Sequence, residues 1–179
     1  MADEFQRLSS KTAWQGRIAS ARIERWRQLD GQEVEREVLG HPGAVAVVAH
    51  DDEHVWLVRQ PREAVGDPAL LELPAGKLDV EDEPPLETAK RELAEEIGKQ
   101  AEHWEPLGAF YTSPGFTNEQ VHLFLATGIS DADEQPEVEE NERIDVELRP
   151  LADLEALIAE AADSKTIIGL ARLQAKLHR

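Results

Sequence analysis

The chain has 179 residues, enough for one domain with a sizeable core. Its net charge of −18 excludes a general nucleic-acid binder, because phosphate backbones need Lys and Arg to displace their counterions. It has no cysteine, no apolar run of membrane-spanning length, and an acidic start (Met1, Ala2, Asp3, Glu4) unlike a secretory signal, so a cytoplasmic protein without membrane partners is expected.

Residues 1–10 are polar and are expected to fray. From Thr12 to Trp26 the pattern loosely alternates, with Ile18, Ala21, Ile23 and Trp26 among polar residues. Asp30-Gly31 is a hairpin turn signal, and Glu33 to Leu39 alternates again. The spacing thus predicts an antiparallel ribbon over the first forty residues. Such a ribbon is marginal alone and must pack on its own domain or on a partner subunit. His41-Pro42-Gly43 breaks the chain. A wholly apolar run, Ala44 to Ala49, predicts a buried central strand, and Val55 to Gln60 its return after a turn at Asp51-Asp52. Pro61 to Pro68 reads as a loop and Leu70 to Leu73 as a short strand.

The next stretch carries the chemistry. It reads L-P-A-G-K-L-D-V-E-D-E-P-P-L-E-T-A-K-R-E-L-A-E-E-I-G from Leu73 to Gly98. Pro84 and Pro85 mark a helix start, where a missing N–H costs nothing, and Gly98 is a natural stop. Leu86, Ala89, Leu93 and Ile97 recur at helical spacing and predict the buried face. Glu92, Glu95 and Glu96 share another face, where like charges repel. Something positive is expected over them, and oxygen-only ligands suit Mg²⁺ or Mn²⁺. In a chain this acidic, a solvated face is the competing explanation for these three glutamates alone.

Strands are expected at Trp104 to Tyr111, Val121 to Gly128 and Ile144 to Leu148, and helices at Leu151 to Ala162 and Lys165 to Leu177. Ser113 to Asn118 is a loop, and Asp131 to Arg143 an acidic one. Much of the negative charge lies between Asp131 and Glu147, where it can stay solvated, so the net charge does not exclude an anionic substrate.

The Leu73–Gly98 stretch resembles the Nudix box of pyrophosphate hydrolases: G, five residues, E, seven residues, then R-E-U-x-E-E-x-G-U, with U a bulky aliphatic. Arg91 to Gly98 fit without a gap and Glu83 fits seven residues back. Six residues rather than five separate Gly76 from Glu83, and Lys99 replaces the final aliphatic. Neither departure touches the carboxylates. The resemblance implies an α/β/α sandwich around a mixed β-sheet. By resemblance, Glu92 and Glu96 bind metal, Glu95 bridges or binds a further ion, and the Ala75 carbonyl adds a ligand, with two or more ions in all. Arg91 would orient a glutamate rather than touch substrate, its spacing permitting a bond to Glu95. Glu83 would support the loop–helix junction, and Gly76 a tight turn beside the substrate.

Outside the box the chain resembles the ADP-ribose pyrophosphatase subfamily. The shared pieces are R-E-V-L-G-H-P-G-A-V from Arg36, V-R-Q-P-R ending at Arg62, S-P-G-F-T-N-E from Ser113 and D-S-K-T-I-I-G-L from Asp163. Pro114 lies sixteen residues after Gly98, close to the position that marks the subfamily, while Pro61 replaces an aromatic. The resemblance implies hydrolysis of ADP-ribose to AMP and ribose 5-phosphate, with another nucleoside diphosphate sugar or a dinucleotide as the alternative substrate. A non-catalytic nucleotide-binding module is the alternative of another class. It implies Glu140 as the base activating water, with Glu139 competing by one-residue slippage, and Glu142 as a metal-side carboxylate. A solvated acidic run is the other explanation of that loop. Glu119 is either an ordinary loop acid or an outlying metal-shell residue. Arg36, Glu37, Arg62, Pro114 and Phe116 become substrate-binding candidates. Residues 1–40 become an arm crossing to the partner of a homodimer, and residues 41–179 the hydrolase domain. His41 reads as a turn residue, since no second His lies at ligand spacing.

Overall fold

The computed structural model describes residues 4–133 and 143–178. They form two compact units: Met1–Gly43 with Tyr111–Gln120, and Ala44–Phe110 with Val121–Arg179.

The first unit is built on a three-stranded antiparallel sheet of β1 (Gln6–Gln15), β2 (Ser20–Arg27) and β3 (Glu33–Gly40). Two expectations are corrected here. Residues 6–10 do not fray: they pair with β2, Gln6 opposite Arg27 and Ser10 opposite Glu24. The expected strand over Thr12–Trp26 is two strands, folded at a turn closed by the Gly16 amide on the Ala19 carbonyl. Trp14 lies over Gly16, where a Cβ would collide with its ring. The Asp30-Gly31 turn forms as expected, with Gly31 at φ 86° and the Gln32 amide donating to Asp30 Oδ1 at 3.0 Å. Glu24 is 2% exposed and is compensated on several sides. It accepts from Trp26 Nε1 at 3.1 Å, Arg7 Nη1 at 3.3 Å and Ser10 Oγ at 3.4 Å. Arg22 Nε stands 3.1 Å away as an ion pair without hydrogen-bond geometry.

The second unit is an α/β/α sandwich, as the box implied. Its sheet runs β10 (Asp145–Pro150), β5 (His54–Arg62), β4 (Ala44–His50), β9 (Gln120–Asp131) and β8 (Lys99–Tyr111), with β6 (Asp67–Glu72) on β5 and β7 (Ala75–Lys77) on β4. The β4–β9 pair is parallel, while β4–β7, β5–β6 and β5–β10 are antiparallel, so the sheet is mixed. The apolar run of β4 is buried on both faces. Ala46 and Val48 pack with Leu154 and Leu157 of α2 (Leu154–Glu160) and Leu170 and Leu173 of α3 (Ser164–Leu177). Val45, Val47 and Ala49 pack with Ala89, Leu93 and Ile97 of α1 (Pro85–Ile97). Burying a side chain such as Leu93 contributes roughly 1.5–3 kcal/mol, so two such layers fix the register of β4 against a one-residue slip.

Several elements differ from the sequence expectation. Strand β5 does not stop at Gln60. It continues through Pro61 to Arg62, with a register shift between Gln60 and Arg62 that accommodates a residue lacking an N–H. Strand β8 begins at Lys99, directly after the box helix, not at Trp104. The three-residue strand β7 was not expected at all. Among the described residues no helix is long and apolar enough to cross a membrane.

Candidate active site

The site is assembled where β7 passes the carboxylate face of α1. Helix α1 starts at Pro85 after an extended Pro84 and ends at Gly98 in the left-handed conformation (φ 65°), whose amide donates to the Ala94 carbonyl at 3.0 Å. Its buried residues are Ala89, Leu93 and Ile97, as periodicity predicted, plus Thr88, which it did not. Leu86 packs partly against the same cluster.

Gly76 was expected to make a tight turn. It lies instead in β7, opposite Val45 of β4, with no positive φ. A glycine stands there for a different reason. A Cβ on Gly76 would overlap the carboxyl carbon and Oε1 of Glu92. The missing side chain is therefore a slot that holds Glu92 against the strand. One residue earlier, the Ala75 amide donates to Glu96 Oε2 at 2.8 Å. The same segment is anchored from below, the Val47 amide donating to the Pro74 carbonyl at 2.9 Å and the Leu73 amide to Thr166 Oγ1 at 2.9 Å.

Arg91 puts a positive charge among the carboxylates, apart from the divalent cation expected over them. Its Nη1 donates to Glu92 Oε1 and Glu95 Oε2, both at 2.8 Å, and its Nη2 to Glu83 Oε2 at 3.2 Å. The bond to Glu95 was expected; those to Glu92 and Glu83 were not. Burial disfavours the charged guanidinium, but the hydrogen bond to Glu83 and the fields of Glu92, Glu95 and Glu83 outweigh it, and its pKa rises above the ordinary value. Glu83 also accepts from Thr88 Oγ1 at 2.8 Å. Its pKa is lowered, first by the bond from Arg91 and then by that from Thr88. Glu83 thus ties the box loop to the first turn of α1. An open cavity of about 700 Å³ adjoins the cluster and shares Glu83 and Arg91 with it.

As the side chains stand, with Arg91 between Glu92 and Glu95, no three Asp, Glu or His groups among the described residues converge at metal-holding spacing. The donor chemistry nevertheless fits a hard divalent cation. The side-chain oxygens that α1 offers on this face are carboxylates, partly withdrawn from solvent (Glu92 14% and Glu95 27% exposed), and the Gly76 slot holds one of them against backbone.

Arg62 is held on the same unit by Glu72, to which Nε and Nη2 donate at 2.6 and 2.7 Å in a bidentate fork. Glu96 lies within reach of its field. Glu72 was missed in the sequence, since nothing marks a residue on β6 as the partner of one ten positions away on β5. Arg36, Glu37, Pro114 and Phe116 belong to the first unit. There the stretch from Arg36 meets the stretch from Ser113. The Leu39 amide donates to the Phe116 carbonyl at 2.7 Å, and the His41 amide to Asn118 Oδ1 at 2.9 Å. His41 Nδ1 accepts from the Gly43 amide at 3.1 Å, a turn contact as expected. Glu119 accepts from Thr112 Oγ1 at 2.7 Å. Glu139, Glu140 and Glu142 lie outside the described residues.

Comparison with known proteins agrees with this fold. The family model of the NUDIX domain matches residues 40–169. An ADP-ribose pyrophosphatase of Bacillus subtilis (strain 168) is 38% identical over 176 residues, covering 97% of this chain and 94% of that protein. An ADP-ribose pyrophosphatase of Mycobacterium tuberculosis (strain ATCC 25618 / H37Rv) is 47% identical over 127 residues, 70% of this chain and 61% of that protein's length. The crystal structure of an ADP compounds hydrolase superposes with a TM-score of 0.84 over 99% of this chain and 96% of that one, at 20% identity, a likeness of fold. Nudix hydrolases generally use divalent metal ions, in keeping with the carboxylate face of α1. The chain belongs to the Nudix family, which the box residues and the sandwich around them had already indicated.

Proposed function

We propose that this protein hydrolyses the pyrophosphate bond of ADP-ribose, giving AMP and ribose 5-phosphate. The observation that carries the reading is the slot at Gly76, which holds Glu92 against β7 beside Glu96 and the Arg91 clamp. A scaffold that fixes carboxylates on a helix and a strand suits a reaction whose transition state gathers charge around phosphorus. A relative matched along nearly the whole chain, an ADP-ribose pyrophosphatase, supports this substrate over other nucleoside diphosphates.

Glu92 and Glu96 are the proposed ligands of Mg²⁺ or Mn²⁺, with Glu95, Glu142 and the Ala75 carbonyl completing the set for two or more ions. When bound, the ions neutralise the diphosphate and acidify water. Arg91 holds Glu92 and Glu95 in position and keeps its proton. Glu140 takes the proton from the attacking water. Arg62 binds phosphate, and Arg36, Glu37, Pro114 and Phe116 contact the rest of the substrate. Gly76 lets the substrate-facing carboxylate lie close to backbone.

The same reading makes the protein a cytoplasmic homodimer joined through the ribbon of residues 1–40. Exposed Phe5, Trp14 and Ile18, between 57% and 62% accessible, support such an interface. Product analysis by phosphorus NMR tests the reaction: AMP and ribose 5-phosphate should appear together, and only with divalent metal added. Release of inorganic phosphate, or no reaction with any nucleoside diphosphate sugar or dinucleotide, contradicts it.

A further inference from the structure

The D-S-K-T stretch at the start of α3 takes no part in the chemistry above, yet its contacts converge on the site. Asp163 caps the helix, its Oδ2 accepting from the Thr166 amide at 2.9 Å and Thr166 Oγ1 at 2.7 Å. Thr166 is fully buried and accepts in turn from the Leu73 amide, at the last residue before the box loop. Gly169 brings the helix down further: a Cβ there would overlap Leu73 Cδ1 and come within 3.0 Å of Val48 Cγ2. Helix α3 is thereby fixed against the strand that leads into the box.

Lys165, between these anchors, points its ammonium at Glu72 Oε2 and stands 3.1 Å from Asp163 Oδ1. Glu72 is 1% exposed. A carboxylate so buried is strongly disfavoured unless paired, and here it holds two cations at once. Oε1 receives Arg62 Nε; Oε2 receives Arg62 Nη2 and Lys165. Lys165 therefore fixes the rotation of the carboxylate to which Arg62 is forked. A guanidinium has five N–H donors, and the fork uses the Nε and Nη2 side. The Nη1 N–H groups make no hydrogen bond among the described residues, and with the second Nη2 hydrogen they form a planar end able to take two phosphate oxygens.

We propose that Glu72, braced by Lys165, is a positioning residue that presents this remaining end of Arg62 to the diphosphate of a nucleoside diphosphate sugar. The proposal rests on the functional reading above. Lys165 does not touch substrate; it acts through Glu72, and Glu72 through Arg62.

The test is steady-state kinetics on ADP-ribose for Arg62→Ala, Glu72→Gln, Lys165→Met and Lys165→Arg, with melting temperatures for each. Lys165→Met should raise KM about tenfold with little change in kcat, and Lys165→Arg should recover most of it. In the Arg62→Ala background, Lys165→Met should add nothing, because the group it positions is gone. A part played only in packing would lower the melting temperature and leave KM unchanged. That result, or an equal KM rise in the Arg62→Ala background, overturns the proposal. A wild type inactive on every nucleoside diphosphate sugar defeats the functional reading instead. The Arg62 Nε–H NMR signal then judges the positioning alone. It should exchange slowly in wild type and rapidly in Lys165→Met; equal rates in the two overturn the bracing.

Discussion

Glu92 fills the space that a side chain on Gly76 would need. The backbone of Gly76 is ordinary strand, so alanine meets no conformational penalty there. The clash is with the far end of a flexible glutamate, which can swing away at small cost to stability. Gly76→Ala should therefore melt within a few degrees of wild type while kcat falls by about a hundredfold or more, since a displaced ligand costs transition-state stabilisation. Paired melting curves and kinetics check this; retained activity would mean that Glu92 need not lie in the slot.

Arg91 offers the converse case. Removing it leaves Glu83, Glu92 and Glu95 without their shared cation. Arg91→Ala should cost about 1–2 kcal/mol of stability, discounted for its partial exposure. Added Mg²⁺ should raise the melting temperature of the variant more than that of wild type, because the cation then supplies the missing neutralisation. Thermal shifts with and without EDTA measure both effects.

The Glu72 pair gives a pH signature. Burial pushes its carboxyl upward, but the bonds and fields of Arg62 and Lys165 outweigh this and hold the pKa below the ordinary 4.5. A folded-state value below the unfolded one stabilises the fold fully above pH 4.5 and loses that contribution as pH falls through the lower value. The melting-temperature gap between wild type and Glu72→Gln should be flat near neutrality and close on acidification below that point. A gap that widens in acid would reverse the sign assigned to the pair.

Helix termination gives a stability prediction at the end of the box helix. Gly98 holds φ 65° at the end of α1. Gly98→Ala should destabilise by about 1 kcal/mol, because alanine is strained at that φ. Denaturant unfolding would show it.

What could be read from the sequence was what local rules decide. Pro84, Pro85 and Gly98 bound α1, its 3.6-residue period names Ala89, Leu93 and Ile97 as core, and the apolar run of β4 requires cover on both faces. The turn at Gly16–Ala19 was invisible because Trp14 and Ile18 continue a loose alternation across it. Strand β7 has only three residues and exists because β4 offers an edge to pair with. Pro61 looked like a strand end, but a register shift absorbs it. Gly76 was legible as important and misread in cause, since the obstacle to a Cβ is a side chain sixteen residues away. Glu72 and Lys165 meet across ninety-three positions, and only packing of α3 onto β6 unites them. The D-S-K-T stretch was the one signal that could have pointed there.

The most direct measurement is hydrolysis of ADP-ribose with Mg²⁺ or Mn²⁺, beside GDP-mannose and diadenosine polyphosphates, for wild type, Glu96→Gln and Glu140→Gln. Preference for ADP-ribose, with turnover lost in both variants, is the expected result. An active Glu140→Gln beside an inactive Glu96→Gln would keep the box chemistry and remove Glu140 as the base. A wild type that cleaves none of the panel with either metal would contradict the assignment of this site as a pyrophosphohydrolase of ADP-ribose.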